Sequence, residues 1–249
     1  KMKTKLYILI AVFFMSLGVN AQIDRSQQPK PGPAPRISLE KPQEFELKNG
    51  LKILVVENHK LPRVSFNIAF DRDPVLEGEK AGVTALLGAM LANGTTTISK
   101  DDFNEEIDFL GARLNIGFGG GSANSITKYS NRMLELLADA TMNPLLTEEE
   151  FQKEKEKLIE GIKSDAKSVD AIAGRVGGAL AYGKQHPYGE FVTEESVEAV
   201  TLADVKAYFE KYFTPNNTYL VIIGDVNTKS VVKLAKKHFK NWEKAATMT

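Results

Sequence analysis

Residues 45–70 read FELKNGLKILVVENHKLPRVSFNIAF. Asn49-Gly50 stands between two apolar runs, the strongest short-range signal for a two-strand hairpin. Residues 63–70 alternate and are β-branched or aromatic, which predicts a third strand. Strands joined by a two-residue turn pair antiparallel. The chain therefore opens as an α+β fold with a largely antiparallel sheet flanked by helices, not as a doubly wound parallel sheet.

Helices and strands continue to the end. Residues 80–92 (KAGVTALLGAMLA) are small and apolar nearly all round, which predicts a buried helix. Ser99 and Asp102 form a capping-box pattern for a helix that runs to Leu110 and stops at Gly111. Residues 114–118 and 122–127 read as strands joined by a loose tip, Gly119-Gly120-Gly121. Residues 130–141 carry a helical apolar face that Asn143-Pro144 ends. Thr147 and Glu150 cap a highly charged helix to about Lys163, residues 171–182 form another small-residue helix, and Thr201 and Asp204 cap one through Tyr212. Residues 219–223 are a strand, Gly224-Asp225 a turn and residues 229–242 the last helix. No repeat of 20–50 residues is visible.

Composition narrows the function. The 249 residues carry 32 Lys+Arg against 32 Asp+Glu, three histidines and no cysteine, with 43% hydrophobic residues. These are ordinary globular proportions. The missing cysteines exclude a disulfide scaffold, an iron–sulfur protein and any zinc site that needs thiolates. Zero net charge offers no electrostatic case for nucleic acid. Lys1, Lys3 and Lys5 precede an apolar run over residues 6–19 and then Asn20, Ala21 and Gln22, the layout of a secretory signal peptide. The run is too short for a spanning helix, which needs about 20 apolar residues. Cleavage after Ala21 would leave 29 positive against 32 negative charges, net −3, in an exported, periplasmic protein with no membrane anchor. Lys1 precedes Met2, the natural start. Residues 22–36, rich in Pro and Gln, read as an extended tether, and the folded domain is expected over 37–245.

The residues themselves supply no catalytic centre. His59 falls in a loop after a strand, His186 in a turn and His238 near the end of the last helix, each alone. None has the second His or Glu at helical spacing that a metalloprotease helix places on one face. No G-x-S-x-G surrounds a serine, and Ser122 has no local base. The glycine run lacks the Lys and Ser/Thr of a phosphate loop. Glu148–Glu150, Glu154, Glu156 and Glu160 interleave with Lys153, Lys155, Lys157 and Lys163, the pattern of a solvated helix.

Read together, six segments resemble the pitrilysin/insulinase family of zinc peptidases, in order and at compatible spacing. They are LKNGLKILVVENHKLPRVSF at 47–66, KAGVTALLGAMLANGTTTISKDDF at 80–103, GARLN at 111–115, LLADATMNPLLTEEEFQKEKEKL at 136–158, HPYGE at 186–190 and TLADVKAYFEKYFTPNNTYLVIIGDV at 201–226. Active members carry Gly-Leu-Ala-His-Phe-Leu-Glu-His-Met where this chain has GVTALLGAM. The resemblance places the two zinc histidines on Ala85 and Ala89 and the general-base glutamate on Gly88. The third ligand, a glutamate on the charged helix, falls on Gly161, or on Glu160 with a one-residue slip. Ala and Gly have no donor atoms, whereas a catalytic zinc needs about three protein ligands and an open position for water.

The resemblance therefore implies a non-catalytic member with no cofactor of its own. Zinc would sit in a partner, an active subunit bearing the motif, and this chain would help to form the chamber and hold peptide substrates. Active relatives bind peptide along an edge strand, which maps here to Leu114, Asn115, Ile116, Gly117 and Phe118. Family subunits generally hold two such domains, of which this chain has the first. Two alternatives stay open. One is a peptide- or protein-binding envelope module without a peptidase partner. The other is an active metallopeptidase with atypical ligands, Glu160 together with His59 or His186.

Overall fold

The computed structural model describes residues 32–33, 41–91 and 93–244. The leader at 1–21, the tether at 22–36 and the domain's expected first and last residues lie outside these, apart from positions 32 and 33. The described residues from 41 onward form one compact unit by themselves. Six strands build a single sheet: β1 (Gln43–Glu46), β2 (Lys52–Glu57), β3 (Arg63–Phe70), β4 (Arg113–Gly117), β5 (Gly120–Ile126) and β6 (Thr218–Gly224). The described helices are α1 (Val83–Met90), α2 (Lys100–Phe109), α3 (Ser130–Met142), α4 (Glu148–Asp165), α5 (Val169–Tyr182), α6 (Glu194–Ala199), α7 (Leu202–Tyr212) and α8 (Thr228–Phe239). None of them is long and apolar enough to cross a membrane.

The hairpin at Asn49-Gly50 forms as read, with β1 antiparallel to β2 and Gly50 at φ +89°. The strand order is β1-β2-β6-β3-β5-β4. The last strand thus inserts between β2 and β3, parallel to the first and antiparallel to the second. All other pairs are antiparallel. The glycine run is not a loose tip. Gly120 and Gly121 belong to β5, and a Cβ on Gly120 would lie 2.4 Å from the Ile68 carbonyl oxygen, at φ +146°. Glycine is what lets β3 pass this closely.

Period-two alternation sorts the sheet faces. Ile53, Val55, Val64, Phe66, Ile68, Ala123, Leu220 and Ile222 point to a core shared with Leu86, Leu87 and Met90 of α1, Met133, Leu134 and Leu137 of α3, and Ala235 and Phe239 of α8. Phe66 is fully buried there, and Phe66→Ala would cost about 3–5 kcal/mol. The opposite face carries three ranks of paired residues. One runs Val56, Ile223, Ser65, Asn124, Arg113 across five strands, and the next Leu54, Val221, Asn67, Ser122, Asn115. Both of these ranks pass from apolar to polar toward the β4 edge, whereas the third runs from Lys52 through Tyr219 and Ala69 to Gly120 and Gly117. These residues are partly or fully exposed.

The caps foreseen at Ser99, Thr147 and Thr201 each accept an N–H from the third residue on, about 1 kcal/mol apiece. Ser168, Thr193 and Asn227 cap α5, α6 and α8 in the same way, and α6 is an element with too little apolar pattern to stand out.

Candidate functional site

Helix α1 is two-sided. Val83, Leu86, Leu87 and Met90 are buried, whereas Ala85 and Ala89 are exposed and Gly88 is half-buried between them. Positions 85, 88 and 89 thus share one open stripe, as residues three and four apart on a helix must. The expectation of burial all round holds for the other side only. A Cβ on Gly88 would meet the Phe118 backbone nitrogen at 3.4 Å and the Gly117 Cα at 3.9 Å. The stripe therefore abuts the end of β4. Leu158 of α4 lies 3.7 Å from where a Cβ on Gly82 would stand, one turn before Gly161 on the helix that packs against α1. Gly161 and Glu160 are exposed, with open space around Gly161.

The four positions implied by the resemblance thus fall on two touching helices, but Ala85, Gly88, Ala89 and Gly161 offer no nitrogen or oxygen to a metal. These residues do not fit a zinc ion. Among the described residues no three His, Asp or Glu side chains are grouped to hold one.

The N-terminus of α1 is held by a carboxylate that sequence reading passed over. Glu77 accepts the Gly82 N–H at 2.7 Å, the Thr84 N–H at 3.3 Å and the Thr84 hydroxyl. An acid at this end satisfies unpaired amides and the helix dipole together. Glu190 of the HPYGE segment in turn accepts the Glu77 N–H at 3.0 Å and the Gly78 N–H at 2.5 Å. Two segments of the resemblance are thereby tied together at the start of the stripe.

Of the segment 114–118, residues 114–117 lie in β4, the sheet's outer strand, which leaves one side of its backbone unpaired by another described strand. Asn115 is exposed on the open face and Ile116 is buried. Phe118 lies beyond the strand. Its carbonyl accepts from the Arg72 guanidinium, which also reaches the Tyr212 carbonyl at 3.4 Å. The guanidinium carbon sits 3.7 Å from the centre of the Phe118 ring, with Phe70 and Tyr212 close by. Burial among these rings lowers the Arg72 pKa to about 10. Arg72 clamps the end of the edge strand to α7.

The structure scatters the histidines. His59 stands beyond β2, its Nδ1 2.7 Å from Asp225 and its Nε2 3.3 Å from Glu57. Asp225 first, then Glu57, raises its pKa. His186 accepts the Tyr188 N–H on Nδ1 and stacks on Tyr182 with centroids 5.2 Å apart. His238 lies in α8, its Nε2 buried with no partner among the described residues, and burial lowers its pKa. Among the described residues, neither His59 nor His186 joins Glu160 in a group of three or more such side chains. Ser122 is a strand residue paired with Asn67 and Asn115. Three carboxylates of α4 are paired along their own helix, Glu149 and Glu150 with Lys153 and Glu154 with Lys157, and Glu150 also holds Lys100 of α2 at 2.8 Å. Exposed pairs of this kind add a few tenths of a kcal/mol each.

Comparison with known proteins agrees with this geometry. A family model described as insulinase (peptidase family M16) matches residues 55–175, and one described as the peptidase M16 inactive domain matches residues 199–247. The chain is 25% identical over 203 residues to an uncharacterized zinc protease of Rickettsia felis, covering 79% of this chain and 49% of that protein. The crystal structure of a protease from Helicobacter pylori superposes with a TM-score of 0.75 at 23% identity, over 85% of this chain and 52% of that one. A peptidase M16 inactive domain from Pseudomonas fluorescens gives a TM-score of 0.74 at 21% identity, over 84% and 53%. The chain has a pitrilysin/insulinase-like fold, and it spans about half the length of the curated relatives it matches.

Proposed function

We propose that this chain is a non-catalytic, exported module of a zinc peptidase assembly. A subunit carrying the intact motif would hold zinc and hydrolyse peptide, and this chain would supply part of the chamber and the β4 edge along which substrate is held. The observation that carries the reading is the open stripe of α1. It sits where a metal-binding stripe would, against the end of an edge strand, and Ala85, Gly88 and Ala89 leave it without a donor atom. Water activation on peptide needs both a metal and a base, and this chain supplies neither at that place. The basic leader over residues 1–21 supports export to the periplasm.

The test is recovery of the tagged chain from its native envelope, followed by metal and activity measurement. The expected result is a complex with a second subunit that carries zinc and chelator-sensitive peptidase activity, while the isolated chain has neither. Stoichiometric zinc and chelator-sensitive peptide cleavage by the isolated chain would overturn the reading.

A further inference from the structure

A cavity of about 640 Å³ opens at the β4 end of the uncovered sheet face. Its walls carry three cations, Lys60, Arg63 and Arg113, and three exposed aliphatic side chains, Leu61, Ile126 and Ile223. The register explains the mixture. Arg113 is paired across β5 with Asn124, Asn124 with Ser65 and Ser65 with Ile223, while Arg63 is paired with Ile126. Strand pairing thus sets cations beside aliphatic groups on one face.

None of the three cations makes an ion pair among the described residues, although ten ion-pair contacts are formed elsewhere. The acids that adjoin lining residues, Asp225 beside Gly224 and Glu57 beside Asn58, are already engaged. Asp225 holds His59 and the Thr127 hydroxyl, and Glu57 holds His59 and the Thr228 N–H. Neither lines the cavity. Three like charges with no counter-charge, set around apolar groups, are complementary to a ligand bearing carboxylates beside aliphatic side chains.

We infer that this groove is a binding site for an extended acidic, aliphatic peptide segment of another protein. The inference names a ligand chemistry for the peptide-holding role proposed above and rests on that reading. Arg113 opens the edge strand, and Arg63 opens β3 on the far side of β5, so a peptide that turns from the β4 edge across the end of β5 would lay its carboxylates over these cations. The chain's own segment over residues 22–36 is a poor occupant by charge, with one acid, Asp24, against Arg25, Lys30 and Arg36.

Fluorescence polarisation with the purified full chain tests this directly. The probes are a peptide of about ten residues, enough to run along a strand at about 3.4 Å per residue, containing Glu, Asp, Leu and Ile; its Gln/Asn counterpart; and a peptide of acids and serines only. The first should bind at least about tenfold tighter than either of the others and weaken steeply between about 0.1 and 1 M salt. Arg63→Gln/Arg113→Gln should bring it to the level of the neutral peptide, and Arg63→Lys/Arg113→Lys should keep most of the preference. Circular dichroism and melting of both variants exclude misfolding as the cause.

Equal binding of acidic and neutral peptides, or an unchanged affinity in the Gln variant, would overturn the inference. So would displacement by sulfate with no requirement for the aliphatic residues, which would make the groove a small-anion site. The measurement needs no partner subunit. Failure to find a zinc-bearing partner would therefore sink the assembly and leave the peptide preference standing, and the reverse outcome would do the opposite.

Discussion

Ala85→His, Gly88→Glu, Ala89→His and Gly161→Glu, introduced together, should give this domain a zinc site. Positions 85 and 89 are exposed and one turn apart on α1, so their β-carbons stand about 5–6 Å from each other. Zinc–nitrogen bonds of about 2.0–2.1 Å allow two such imidazoles to share one ion. Position 161 lies on the helix packed against α1 and has open space around it. At Gly88 the new Cβ makes ordinary contacts at 3.4 and 3.9 Å, and the change from Gly adds about 0.5–1 kcal/mol of helix stability to set against crowding. With free zinc at 100 times the dissociation constant, binding stabilises the folded state by about 2.7 kcal/mol. At about 2–4 °C per kcal/mol for a domain of this size, the melting temperature should rise by about 5–11 °C. Scanning fluorimetry with zinc, then with chelator, reads this. The original chain should not move, and Ala85→His/Ala89→His alone should move less. A folded variant whose melting point ignores zinc would refute the reasoning, because it would show that α1 and α4 no longer hold these positions within reach of one ion.

Three further outcomes follow from named contacts. Gly120→Ala should lower the unfolding free energy by about 2–4 kcal/mol, through backbone strain and the clash with the Ile68 carbonyl, seen as a lower urea midpoint at unchanged slope. His59 has its pKa raised by Asp225 and Glu57. Its stabilising share is thus complete below the unfolded value of about 6.5 and is lost as pH rises through the folded value. Melting curves of His59→Gln against the original chain should differ at about pH 6 and converge under alkaline conditions, and a constant difference would contradict this. Arg72→Met should cost about 1–2 kcal/mol, since the lost carbonyl bonds and ring contact are partly offset by relief of the desolvation that depresses its pKa. Hydrogen exchange over residues 113–118 should quicken in that variant, and unchanged protection there would exclude the clamp.

What could be read from the sequence was local. The Asn49-Gly50 turn and the caps at Ser99, Thr147 and Thr201 are set by neighbours within four residues, and all formed. The insertion of β6 beside β2 was out of reach, because it pairs Ile53 with Leu220 and no local signal selects a partner that distant. Arg72 was out of reach for the same reason, whereas Glu77 bonds Gly82 and Thr84 five and seven residues on, a spacing that no capping pattern marks. A carboxylate outside the cap and a cation whose acceptors lie on Phe118 and Tyr212 look like ordinary surface charges in the sequence. The expectation that Ala85, Gly88 and Ala89 stand at the family's metal and base positions rests on Gly82, Met90 and Gly94-Thr95, which fix the alignment around them. The structure adds why fold and chemistry separate so cleanly at this helix. Its stability resides in Val83, Leu86, Leu87 and Met90, all buried, while the chemistry would reside in Ala85 and Ala89, both exposed, and in half-buried Gly88. Alanine is the best helix former, so two alanines on an exposed stripe cost the fold nothing, and no contact in the core depends on the donor atoms that the stripe lacks.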